Sequence, residues 1–107
     1  MPGAARLTDI HHNPHDFCGC LQCVHNVYGY LYWVSDDTFI ETLGAARGNQ
    51  VDGGNHNYCC GSQLWRTLAC SGDTFIDGIG AVRLGDETIC CGGKGRIISA
   101  SSKVFIN

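Results

Sequence analysis

The side chains best equipped for chemistry in this chain are imidazoles and thiols. There are five histidines (His11, His12, His15, His25 and His56) and eight cysteines (Cys18, Cys20, Cys23, Cys59, Cys60, Cys70, Cys90 and Cys91). Imidazole nitrogen and thiolate sulfur are the donors that close tetrahedral zinc sites. Thiols can also pair as disulfides where the compartment is oxidising. Met1-Pro2-Gly3-Ala4-Ala5-Arg6 has no long apolar stretch and does not read as a signal peptide, so folding in a reducing cytosol is expected. There, metal ligation or plain burial of the thiols is favoured over a disulfide framework. Catalysis finds little support. No serine lies in a nucleophile elbow, and Gly92-Gly93-Lys94-Gly95 lacks the rest of a phosphate-binding loop. The chain is expected not to be an enzyme.

These donors need a scaffold, and composition limits it. A chain of 107 residues is read as one domain, 1–107, with a modest core. Cores of that size are often stapled by a metal, a disulfide or a partner. Glycine is 15 of the 107 residues, which favours tight turns and short strands. A formal charge of -3 with no basic run argues against nucleic acid as a partner. Charged residues are only 16%, which suggests that part of the surface is covered by something else. No apolar run reaches the length of a membrane helix.

The organisation is a motif written three times. Gly3-Ala4-Ala5-Arg6-Leu7-Thr8-Asp9 recurs as Gly44-Ala45-Ala46-Arg47 with Asp52 after a two-residue insertion, and again as Gly80-Ala81-Val82-Arg83-Leu84-Gly85-Asp86. Each copy closes alike, with Ser35-Asp36-Asp37-Thr38-Phe39-Ile40, Ser71-Gly72-Asp73-Thr74-Phe75-Ile76 and Ser101-Ser102-Lys103-Val104-Phe105-Ile106. The copies run over approximately 2–42, 43–78 and 79–107. The β-branched and aromatic closing elements read as short strands, and Tyr28–Val34, Trp65–Ala69 and Arg96–Ala100 as longer ones. Each copy is therefore expected to be an Arg-Asp turn, a Gly/Cys/His loop, a strand, a tight Ser/Asp turn and a second strand. The fold class is all-β: a compact cone of three pseudo-threefold β-hairpin repeats. Such an object can sit on the axis of a true trimer, one repeat facing each protomer.

The repeated Gly-Ala-Ala-Arg and Asp, closed by Ser and then Thr/Val-Phe-Ile, resembles the PAAR-repeat family over essentially the whole chain. His56, Cys59-Cys60-Gly61 and Trp65 in copy two, and Gly85-Asp86, Thr88, Cys90-Cys91-Gly92-Gly93 and Gly95 in copy three, carry the likeness furthest. The chain departs from the pattern where Leu43 and Ile79 replace the family's proline. The resemblance implies a structural tip that caps and sharpens the trimeric β-helical spike of a contractile injection machine. That machine is a phage tail or a type VI secretion system. The tip would be a monomer on its own and dock as one copy per trimer. It would be made in the cytoplasm and touch the target membrane only transiently. Toxin-bearing relatives carry extensions, and nothing follows Asn107 here, which favours a minimal, phage-like tip.

The family also binds one zinc near its point through three histidines and a cysteine. The matching positions here are His11, His25, His56 and Cys90, from loops expected to converge at one end of the cone. His12 and His15 compete with His11, Cys23 with His25, and Cys91 with Cys90. A closed set of this kind is structural. The remaining cysteines are read as core residues, as disulfides formed after release, or as a second metal site. The rival reading is a free-standing zinc-binding adaptor or thiol redox module, which has no need of a threefold repeat.

Overall fold

A computed structural model of the protein describes residues 1–14, 26–58, 61–90 and 93–107. The described residues form ten strands and no helix: β1 (Ile10–Asn13), β2 (Val27–Trp33), β3 (Phe39–Ile40), β4 (Leu43–Gly44), β5 (Gly53–Tyr58), β6 (Gly61–Thr67), β7 (Phe75–Ile76), β8 (Ile79–Gly80), β9 (Glu87–Cys90) and β10 (Gly93–Ile97). The all-β expectation holds. Six of the strands close into an antiparallel barrel in the order β1-β10-β9-β6-β5-β2. The barrel is three hairpins, β1–β2, β5–β6 and β9–β10, joined edge to edge by the β2–β5, β6–β9 and β10–β1 pairings. Closure leaves none of the six with an open edge. Alternation sets the two faces: Val27, Gly29 and Leu31 of β2 point inward while Tyr28, Tyr30 and Tyr32 point out.

The hairpins are not the ones expected. The Gly/Cys/His segments, read as loops, supply β1, β5 and β9. The Phe-Ile strands do not fold back on the longer strands before them. They turn forward onto the next Gly-Ala segment, with Phe39 opposite Gly44 and Phe75 opposite Gly80. At the third corner Gly3 bridges Phe105. Turn chemistry accounts for this. Glu41-Thr42 and Asp77-Gly78 have positive φ at both positions (52° and 69°, 54° and 81°), the signature of a two-residue type I′ hairpin. The Ser/Asp clusters do a different job. Ser35 Oγ accepts from the N–H groups of Asp37 and Thr38, Ser71 from Asp73 and Thr74, and Ser101 from Lys103 and Val104. Each serine bends the chain from the barrel toward the base.

The Gly-Ala-Ala-Arg elements meet at the centre. Ala5 N–H donates to Val82 O (2.9 Å), Ala46 N–H to Ala5 O (3.1 Å) and Val82 N–H to Ala46 O (3.2 Å), a closed triangle of backbone bonds. Ala5, Ala46 and Val82 are all buried there, at 0%, 0% and 1% exposure. Ala4, Ala45 and Ala81 pack with Ile40 and Ile76, and Ile106 lies against them. Beyond the triangle, Ala5, Ala46, Val82, Leu31, Trp65, Cys90 and Ile97 fill the barrel. The repeated glycine has a steric reason. A Cβ at Gly3, Gly44 or Gly80 would stand 2.2, 2.8 or 2.4 Å from the carbonyl oxygen of Ser101, Ser35 or Ser71.

Each Arg-Asp pair closes a fork. Arg6 Nε and Nη2 reach the two Asp9 oxygens at 2.9 and 3.2 Å. Arg47 reaches Asp52 at 2.8 and 2.8 Å, and Arg83 reaches Asp86 at 3.0 and 3.0 Å. The same carboxylates accept from the arginine backbone N–H at 2.8 Å in all three. The two-residue insertion before Asp52 is absorbed without changing the fork. The carboxylate hydrogen bonds raise each guanidinium pKa, so the arginines stay charged.

Candidate functional site

Equivalent backbone bonds fix which residues occupy equivalent places in the three hairpins. Leu31, Thr67 and Ile97 donate their N–H to the carbonyls of Asp9, Asp52 and Asp86. Stepping outward by two residues along each strand gives the inward-facing layers. The first holds Gly29, Trp65 and Gly95 with His11, Gly54 and Thr88. The next holds Asn13, His56 and Cys90.

Trp65 organises the first layer. Its side chain is fully buried, and the equivalent positions in the other copies are glycines. A Cβ on Gly29 would lie 2.6 Å from Trp65 Nε1, and one on Gly54 would lie 3.3 Å from it. A single indole thus occupies space that three ordinary side chains cannot share. His11 stacks on it, ring centroids 4.1 Å apart and planes within 16°.

From His11 a line of close contacts runs to Cys90. His11 Nδ1 lies 2.6 Å from Thr88 Oγ1, and its Nε2 lies 3.0 Å from His56 Nδ1. The other nitrogen of that ring, His56 Nε2, lies 3.5 Å from Cys90 Sγ. The Cys90 thiol also donates to Leu64 O at 3.2 Å. His11, His56 and Cys90 are all buried, at 0%, 2% and 3% exposure. Burial, with smaller contributions from His56 and His12, pushes the His11 pKa down to about 3, so His11 is neutral at physiological pH.

Three of the four residues expected as zinc ligands, His11, His56 and Cys90, are therefore brought together, although from two layers. His25 lies outside the described residues, as do the competing His15, Cys23 and Cys91. His12 points away from the barrel interior, stacks on Tyr28 at 4.6 Å and bonds to Asn26 Oδ1. Among the described residues no group of three or more His, Cys, Asp or Glu side chains is arranged to hold a metal ion. The pair His56 Nε2 and Cys90 Sγ does fit one. Donors at ~2.0–2.1 and ~2.3 Å from a tetrahedral zinc stand about 3.5 Å apart, and the observed separation is 3.5 Å.

Sequence reasoning missed Trp65 and Thr88 as parts of this cluster. The signal for Trp65 was the lone tryptophan between glycines at the matching positions of the other copies. No family model matches the chain, and no curated protein matches it.

Proposed function

We propose that this protein is a PAAR-like spike tip: a pseudo-threefold, metal-pinned structural cap on the trimeric β-helical spike of a contractile injection machine. The observation that carries the reading is the ring of three hairpins closed around the Ala5–Ala46–Val82 triangle. One chain thereby offers three similar faces, which is what a single cap on a threefold axis requires. The base adds a contact surface. Phe39, Phe75 and Phe105, one from each copy, are 60%, 61% and 48% exposed. Three large rings left in water, one per copy at matching places, suit a partner that offers three matching contacts. In this reading the chain does no catalysis. It travels from the cytoplasm to the spike tip, in a phage tail or a type VI secretion system, and meets the target envelope first.

A zinc ion would be held by His56 Nε2 and Cys90 Sγ, with His25, which the family resemblance implies as a ligand, completing the set with a further donor. It would crosslink the second and third hairpins, and so contribute to folding itself. Elemental analysis of protein purified without chelator is expected to give about one zinc per chain. Mass measurement of the chain assembled with a trimeric spike is expected to give one cap per trimer, and three per trimer would overturn the reading.

A further inference from the structure

We propose that His11 is not a metal ligand but the positioning residue that holds His56 with its Nε2 toward Cys90 and the ion. This rests on the metal reading above and removes His11 from the ligand set that the family resemblance implies. The argument is geometric. His11 Nε2 meets His56 at Nδ1, and Cys90 Sγ meets His56 at Nε2. The two nitrogens of one imidazole direct their lone pairs to opposite sides of the ring. One ion cannot then bind His56 and Cys90 on one side and His11 on the other. His11 also stands a layer deeper, stacked on Trp65 with Thr88 at its far nitrogen.

The protons fit this role. A neutral imidazole has one donor and one acceptor nitrogen. With a metal on His56 Nε2, its proton must sit on Nδ1 and be donated to His11 Nε2. His11 then carries its own proton on Nδ1 and donates it to Thr88 Oγ1, while the Cys90 thiol proton leaves to solvent as sulfur binds the ion. Every close contact in the chain Thr88–His11–His56 is satisfied by that single arrangement. An outer partner of this kind fixes the ring and the tautomer of a ligating histidine.

The test uses the full chain loaded with cadmium or zinc. In cadmium-bound protein with isotope-labelled imidazoles, metal–nitrogen coupling is expected to His56 Nε2 and to neither nitrogen of His11. Coupling to His11 would overturn the proposal. His11→Leu and, as the milder change, Thr88→Val should weaken zinc affinity by about 10-fold or more, the loss typical of removing an outer partner, with the coupling to His56 retained. His11→Gln, whose amide oxygen can still accept from His56 Nδ1, should recover part of the loss. Unchanged affinity in both His11→Leu and Thr88→Val overturns the relay while leaving the metal site standing. A wild-type chain that takes up neither cadmium nor zinc overturns the metal reading, and this inference with it.

Discussion

At the base of the molecule the three copies use the same residues: Ala4, Ala45 and Ala81 beside Ile40, Ile76 and Ile106, under three Arg-Asp forks of nearly identical bond lengths. Inside the barrel no layer carries one residue type in all three copies. Gly29, Trp65 and Gly95 face one another, then His11, Gly54 and Thr88, then Asn13, His56 and Cys90. The contrast separates two tasks. Repeated residues close the ring, because each copy must present the same edge to the next. Unrepeated residues fill the interior, where one large side chain needs two small ones across from it, and where unlike donors can meet.

The largest expected effect is in the unrepeated region. Trp65→Ala should cost about 3–5 kcal/mol, the usual range for emptying a buried aromatic site. In a small domain whose whole stability is ~5–15 kcal/mol, urea denaturation should show a barely folded protein. A loss below about 1 kcal/mol would show that the glycines opposite are not holding space for the indole. Next come the forks. Each aspartate is nearly buried and each arginine side chain is about one-fifth exposed, at 19%, 22% and 24%. Breaking such a pair from one side should cost on the order of 3 kcal/mol. Asp9→Ala, Asp52→Ala and Asp86→Ala should agree within ~1 kcal/mol, since one fork is built three times. A wide spread among the three would break the claim of equivalence. Thr42→Gly should go the other way. A β-branched residue sits there at φ 69°, where copy two has Gly78, and relieving it should gain about 1 kcal/mol as a raised melting temperature. The smallest effect belongs to the exposed rings. Phe39→Ser and Phe75→Ser should change the stability of the isolated chain by no more than ~0.5 kcal/mol, yet weaken its pull-down by the trimeric spike proposed as its partner.

Much of this contrast was legible in the sequence. The repeat, the arginine-to-aspartate pairing and the outward tyrosines of β2 follow from residue types and period two. The pairing of β3 and β7 with the segments after them is legible too, in Asp77-Gly78, but a copy boundary placed after residue 78 separates the two strands that this turn joins. The layer of His11 was written in the spacing. His56 and Cys90 stand four residues after their aspartates and His11 only two after Asp9, so Asn13 is the true counterpart. What no spacing reveals is which ring nitrogen faces which neighbour. That depends on Trp65 crossing the barrel to set the plane of His11, a contact between side chains 54 positions apart (65 − 11).

The bridge between Gly3 and Phe105 gives the ring a seam. The corners at Phe39–Gly44 and Phe75–Gly80 each close across a two-residue turn, a local event on the microsecond scale. The third corner must bring residues 3 and 105 together across the rest of the chain, at an added loop-closure cost of about 2–3 kcal/mol over a short hairpin. Nothing reduces that cost until the other hairpins are docked. The triangle of Ala5, Ala46 and Val82 is incomplete until copy three arrives, so a nascent chain can hold two corners but no ring. Folding should therefore show a late, slow phase in which the seam and the first-to-third hairpin pairing of β1 with β10 form together.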